Sequence, residues 1–318
     1  MLNLKQKGFY KGVNLGGWFS QCDYSEERLN TFITEADFRE IAALGFDHVR
    51  IPVDYNIFQA ADGSFLPQGF DCLDRAVSLC RKYQLNLILD LHKTAGFSFD
   101  EGETEEGFFD SAAYQEQFYQ LWEEFARRYG NDPAHIAFEL LNEVTDQSYI
   151  KTWNRIADNC IRRIRKIAPE TVLLVGSFNN NGAREVPYLD APYDSNIVYN
   201  FHCYEPLLFT HQGATWTVRI DPAARMTFEE SEASEEYFEE LFAAAIKKAE
   251  ENNTVLYCGE YGMIDVASAP ESLKWFRAIH AVFEKHGIGR SVWTYKGLDF
   301  GMTDAKYDGF REELIRYL

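Results

Sequence analysis

The stretch His135-Ile-Ala-Phe-Glu-Leu-Leu-Asn-Glu143 decides how this chain reads. A short apolar run closes on an amide and a carboxylate. A second run, Thr254-Val-Leu-Tyr-Cys-Gly-Glu260, has the same form far downstream. Runs of this length and character read as buried strands. A carboxylate just past the carboxyl end of such a strand stands where a β/α barrel keeps its reactive groups. Two of them, from different strands, suit cleavage of a glycosidic bond: one protonates the leaving oxygen, the other attacks or activates water. Strand alternation sets Asn142 and Glu143 on opposite faces. Both reach one site only if the strand bends or bulges at its end. Glu139 shares the parity of Glu143 and is a candidate for a buried carboxylate behind it.

Outward from these two runs, strand-like and helix-like segments alternate. Strands are expected at 8–15, 47–53, 86–92, 136–143, 171–176, 196–204, 254–260 and 289–295. Helices are expected at 34–44, 70–83, 112–128, 148–168, 235–252, 270–286 and 309–317. Between the fifth and sixth strands the helical pattern is poor, broken by Pro187 and Pro192. Eight strands, nearly all followed by helices, predict a single (β/α)8 TIM barrel over 1–318. A long connection at 205–234 follows the sixth strand. It carries Phe209, His211, Trp216 and Phe228, and is expected to be a lid at the catalytic face.

Composition narrows the function. The 318 residues include 50 acidic and 31 basic side chains, a net charge of −19. Nucleic acid, whose phosphates demand a basic face, is excluded as a partner. A neutral sugar polymer is compatible, and 15% aromatic residues offer flat faces for sugar rings. No stretch has the length of a membrane span. The first residues are polar and no apolar leader follows them, so a cytoplasmic location is expected; a secreted protein with its leader removed would begin the same way. Six cysteines without Cys-x-x-Cys spacing read as reduced and buried. No metal-ligand spacing and no phosphate-binding loop appears, so neither metal nor cofactor is expected.

Polar and aromatic groups recur near the ends of other strands. Arg50 lies in His-Val-Arg-Ile-Pro, and His92 ends Leu-Ile-Leu-Asp-Leu-His. Asn142 precedes Glu143. His202 and Tyr204 close Val-Tyr-Asn-Phe-His-Cys-Tyr, and Trp293 and Tyr295 sit in Ser-Val-Trp-Thr-Tyr. In a barrel all converge on one mouth. Trp18, Asn179, Asn180, Trp216, Lys296 and Asp299 fall in loops at the same end and are candidates for outer sugar contacts.

This ordered set resembles glycoside hydrolase family 5, the cellulase family, over essentially the whole chain. The likeness to its clostridial endoglucanases extends to Gly12-Val-Asn-Leu-Gly-Gly-Trp18, Thr31-Phe-Ile-Thr-Glu35, Phe209-Thr-His-Gln212 and Tyr257-Cys-Gly-Glu260. The resemblance implies a retaining β-glucan hydrolase needing no cofactor, acting on β-1,4- or mixed-linkage β-1,3-1,4-glucan and cello-oligosaccharides. It implies Glu143 as acid/base and Glu260 as nucleophile. Arg50 and Tyr204 would hold the nucleophile, Asn142 would bind the sugar 2-hydroxyl, His92 and His202 would bind hydroxyls and orient the carboxylates, and Trp293 would floor the −1 sugar. Two positions depart from the pattern. Val144 replaces a common proline after the Asn-Glu pair. Lys93 stands where relatives often carry a second histidine, on the non-reducing side of the cleft; there it either donates to a sugar hydroxyl or narrows the cleft. The insertion after Tyr204 is shorter than the clostridial subdomain. The alternatives are an exo-acting β-glucosidase on short oligosaccharides and a carbohydrate-binding barrel without catalysis; the intact glutamate pair argues against the second.

Overall fold

A computed structural model describes residues 2–100 and 102–318. Eight parallel strands close on themselves in sequence order. They are β1 (Lys11–Asn14), β2 (His48–Asp54), β3 (Asn86–Lys93), β4 (Ile136–Glu139), β5 (Leu173–Gly176), β6 (Ile197–Cys203), β7 (Leu256–Tyr261) and β8 (Gly289–Val292). Gly12 pairs with His48 on one side and Ser291 on the other, which seals the first strand to the last. Among the described residues, the helices of seven residues or more are α1 (Glu35–Ala43), α2 (Pro67–Tyr83), α3 (Ala112–Tyr129), α4 (Ile150–Arg165), α5 (Glu235–Glu251), α6 (Ala269–His286) and α7 (Arg311–Tyr317), each after a strand. The expected barrel is therefore present.

Local chemistry sets the helix boundaries. The Asp37 carboxylate accepts from the Thr34 backbone N–H at 2.7 Å and opens α1. Pro67 starts α2, where its missing N–H costs nothing. Ser111 and Ser234 cap α3 and α5 through their hydroxyls. After β5 the broken pattern yields a 3-10 segment, Ala183–Tyr188, with Pro187 inside it. Four short helices among the described residues escaped the sequence reading; Phe178–Asn181 follows β5 and Leu207–Thr210 follows β6, and the other two lie near the N-terminus. Leu4–Lys7 precedes β1, and its Leu4 packs with Phe9, Ile88, Ala137, Val198 and Tyr257 in a small interior cluster. Glu26–Thr31 starts from a Ser25 cap.

The carboxyl ends of the strands are irregular. Val53 pairs with Leu91 and Asp54 with Lys93, so His92 is an extra residue in β3. Phe201 pairs with Cys258 and His202 with Glu260, so Gly259 is extra in β7. Such bulges re-aim side chains at a barrel rim. β4 ends at Glu139, not at Glu143 as expected. The chain beyond it still bonds both neighbours, through Leu140 N to Leu174 O and Asn142 N to Leu91 O. It then turns at Glu143, whose φ is +37°. This is the bend that lets Asn142 and Glu143 serve one site.

The 205–234 segment is folded against the barrel. Phe209, Ala214, Ile220 and Ala233 are buried. Gln212 bonds the backbone of Phe209 and Met226, and the Phe228 N–H reaches the Glu271 carboxylate at 2.5 Å. No helix among the described residues is long and apolar enough to cross a membrane.

Candidate active site

Arg50 is the hub of the site. It projects from β2, fully buried, and all its outward nitrogens are used. Nε and Nη2 grip Glu139 at 2.7 and 2.8 Å. Nη1 donates to Asn14 at 2.9 Å and to Glu260 at 2.8 Å. Nη2 also reaches Asn142 at 2.9 Å and Asp90 at 3.0 Å. A planar fork holds such a set where a lysine would not. Its anionic neighbours overcome the burial that disfavours a cation, and its pKa lies well above the usual value. Removing one member would strand a buried charge, at about 3–5 kcal/mol.

Four residues of this network, three of them partners of Arg50, were missed or left open by sequence reading. Glu139 is the buried carboxylate that parity suggested, its pKa raised first by burial. Asp90 shares parity with His92 in β3, the signal that would have found it; burial pushes its carboxyl up to about 7. Asn200 has the parity of His202, donates to Glu139 at 2.8 Å and receives the Gly259 N–H at 2.9 Å. Asn14, in the opening Gly-Val-Asn-Leu motif, ties β1 to the Gly259 and Ser291 carbonyls.

Glu260 accepts from Arg50 and, at 2.9 Å, from the Tyr204 hydroxyl. Two donors on separate oxygens suit a carboxylate that must act as an anion. Opposite it, Glu143 is 9% exposed. Burial is the main cause that pushes its carboxyl up to about 7, against an opposing hydrogen bond from Asn180. That Asn180 amide donates to Glu143 at 3.0 Å. It stands in a left-handed turn, Asn179, Asn180 and Asn181 having φ of 54°, 56° and 55°. Asparagine tolerates this conformation. The turn is tied back to the Glu143 loop by Asn180 N to Val144 O.

His202 lies between the two glutamates, its Nδ1 2.8 Å from Glu143 and 3.7 Å from Glu260. Burial pushes its pKa down to about 4. Burial thus disfavours both charged forms of this pair, the carboxylate of Glu143 and the imidazolium of His202. Among the described residues, Glu143, His202 and Glu260 bring ligating atoms within 4.8 Å of one another, close enough to hold a metal ion. Sequence spacing gave no sign of this cluster. Its internal hydrogen bonding equally serves an acid facing a nucleophile.

His92 bonds Asp90 through Nδ1 at 2.5 Å, and burial lowers its pKa to about 3. A neutral ring donating from Nδ1 leaves Nε2 as an acceptor. The ring lies parallel to Trp293, centroids 5.8 Å apart and planes within 4°. A Cβ on Gly16 would fall 2.7 Å from Trp293 Cη2, so only glycine at this point of the opening motif lets the indole lie there. Asn142 Nδ2 has no hydrogen-bond partner among the described residues.

A cleft of about 590 Å³ opens over these groups. Its walls include His92, Glu143, Asn180, Tyr204, Glu260 and Trp293. Trp216, 49% exposed, and Asp299 line it further out. A separate cavity of about 290 Å³ beside α4 shares no wall residue with it.

Two expected sugar contacts are corrected. Trp18 is buried in the core: its indole N–H donates to Leu29 O at 3.0 Å and its ring stacks on Phe19 at 3.9 Å. An indole so used has neither face nor donor left for sugar. Lys296 pairs with Asp37 at 2.9 Å, lies over Phe32 and does not line the cleft. Tyr295 likewise turns away and donates to Glu40, and Asn179 bonds Glu185.

Known proteins match this chain over most of its length. The family model described as Cellulase (glycosyl hydrolase family 5) matches residues 5–299. Cellodextrinase A of Ruminococcus flavefaciens is 64% identical over 287 residues, covering 90% of this chain and 85% of that protein. Endoglucanase C of Acetivibrio thermocellus is 35% identical over 337 residues, covering 98% of each. Among solved structures, the clostridial cellulose synthase subunit Z from Clostridioides difficile superposes with a TM-score of 0.84 at 26% identity, covering 98% of this chain and 99% of that one.

Proposed function

The chain belongs to glycoside hydrolase family 5, the cellulase family, and we propose that it hydrolyses the β-1,4 bonds of cello-oligosaccharides and related β-glucans with retention of configuration. The observation that carries this reading is the pairing of a protonatable Glu143 with a donor-held Glu260 across His202, their nearest oxygens within 4.8 Å. Retaining enzymes keep their carboxyl groups ~5–5.5 Å apart, and inverting ones need a wider gap for water.

Glu143, with its proton retained to about pH 7, protonates the glycosidic oxygen. Glu260 attacks the anomeric carbon and forms a glycosyl ester. Tyr204 and Arg50 hold its two oxygens during the approach. Glu143 then takes a proton from water, which displaces the ester. Asn142, its oxygen fixed by Arg50, turns its unpartnered amide donor to the sugar 2-hydroxyl, a contact that strengthens in the transition state. Trp293 gives the sugar at the point of cleavage a flat floor, and His92 Nε2 accepts from one of its hydroxyls.

Short soluble chains are the preferred substrates on this reading. The name of the relative from Ruminococcus flavefaciens supports it, as does a cleft of the size that takes small ligands. The segment 205–234 acts as a cover over part of the cleft, where the half-exposed Trp216 offers a ring to sugar.

Proton NMR of the first product from cellopentaose tests the proposal. The β-anomer should appear first and mutarotate later. An α-anomer at the earliest times, or no cleavage of any cello-oligosaccharide, overturns it.

A further inference from the structure

The turn after β5 sets three asparagines in succession, and the middle one faces the acid. Asn179, Asn180 and Asn181 all have left-handed backbone. Three ties hold this turn in place. The Asn179 and Asn180 N–H groups donate to Thr145 O at 3.2 Å and to Val144 O at 3.1 Å, in the loop directly after Glu143. Asn181 lies against Gly176 at the end of β5, where a Cβ would fall 2.3 Å from its Oδ1. Gly182 bridges to His202 in β6. The turn is thus fixed to the loop that carries the acid and to the next two strands.

Asn180 itself is half-buried and lines the cleft. The two oxygens of Glu143 are divided between neighbours. Oε1 is 2.8 Å from His202 Nδ1, and Oε2 receives the Asn180 Nδ2–H at 3.0 Å. An amide N–H is a donor throughout a reaction, whereas a histidine nitrogen changes role with its tautomer. In the first step the bond from the anomeric carbon to the leaving oxygen breaks. Glu260 bonds to that carbon, and the Glu143 proton passes to the departing oxygen. Glu143 is left as a carboxylate at a position 9% exposed, where burial penalises the charge. A donor already aimed at Oε2 meets that charge as it forms, without reorganisation.

We propose that Asn180 is a positioning residue for the acid step: its amide holds Glu143 Oε2 and stabilises the carboxylate that appears as the proton leaves. This rests on the β-glucan reading above. Asn180 acts through Glu143 and not by holding sugar.

Two substrates that carry the same sugars and differ in their need for a proton test it. Asn180→Gly removes the amide and keeps the left-handed turn, which glycine adopts without strain. On phenyl β-cellobioside kcat/KM should fall about tenfold, the scale of one hydrogen bond to a charged group. On 2,4-dinitrophenyl β-cellobioside, whose leaving group departs without a proton, the fall should be under about twofold. With Glu143→Ala already in place, Asn180→Gly should change neither rate by more than about twofold, because its partner is gone. Equal losses on the two cellobiosides, or a further loss in the Glu143→Ala background, overturn the proposal. Asn180→Asp tolerates the same turn, cannot donate when ionised and repels the forming carboxylate. It should show the same split between substrates and decides the matter if Asn180→Gly does not fold. A wild-type enzyme that cleaves both cellobiosides while the folded variants lose nothing overturns the proposal alone. A wild-type enzyme that cleaves neither cellobioside nor any cello-oligosaccharide fails the β-glucan reading, and the role of Asn180 falls with it.

Discussion

At Glu143 and Glu260, similar side chains are set to opposite tasks by their surroundings. Glu143 is withdrawn from water and retains its proton to about pH 7; Glu260 is held by a guanidinium and a phenol. Glu260→Gln should abolish turnover, by more than about 10³-fold, with the fold retained, because an amide cannot be the nucleophile. Glu143→Ala should be crippled on cello-oligosaccharides but much less on aryl glycosides whose leaving groups need no proton. Azide should restore its rate by attacking the glycosyl ester. Since the fraction of protonated Glu143 falls as pH rises through 7, kcat/KM of the wild type should decline above that pH. The alanine variant on an activated substrate should lack that limb. Identical behaviour of the two variants across leaving groups would reverse or void the assignments. Much of this site was legible in the sequence, because a reactive side chain on an apolar strand stands out. Asp90, Asn200 and Asn14 were less so. They occupy the same strands and the right parity, but nothing local tells a buried carboxylate serving Arg50 from one facing water. Trp18 misled for the converse reason: an aromatic residue in a loop reads alike whether it packs inward or outward.

Among the elements, the 205–234 segment carries the open question. Its core residues tie it down, yet Trp216 remains half exposed at the cleft, edge-on to His211 and Phe300 at 6.4 and 6.3 Å. Trp216→Ala should lower kcat/KM about tenfold on cellopentaose and longer chains, the ~1–1.5 kcal/mol of a lost aromatic contact. It should leave melting temperature and activity on cellobiosides little changed. A fall in melting temperature with uniform loss on every substrate would make the ring a local anchor. Element existence followed closely from hydrophobic period. Element ends did not. β4 stops four residues before Glu143 because the chain keeps its neighbours' hydrogen bonds while leaving regular geometry, and a bend of that kind has no sequence signature. The short helices Leu4–Lys7 and Glu26–Thr31 are fewer than two turns long and draw their stability from caps and packing, so periodicity is blind to them.

For the molecule as a whole, strand–helix alternation was enough to predict the barrel, whereas closure through β1 and β8 rests on backbone pairing that composition does not reveal. The net charge of −19 is a property of the entire surface. Self-repulsion of that size opposes compactness and is screened by salt. The melting temperature at pH 7 should therefore rise by about 1–2 °C between ~10 mM and ~300 mM sodium chloride, about the shift that 1 kcal/mol produces in a domain of this size. No rise, or a fall, would mean that the acidic groups are locally compensated. The distribution of indoles has an optical consequence. Trp18, Trp122, Trp153 and Trp275 are sealed in the core, and Trp293 is 7% exposed on the cleft floor. Trp216 alone of the six is half open to water. Red-shifted emission and accessibility to a quencher such as acrylamide thus belong mainly to one side chain at the rim of the cleft. A chain bound over that ring shields it and leaves the four core emitters untouched, so the protein's own fluorescence reports occupancy of this rim of the cleft without a label.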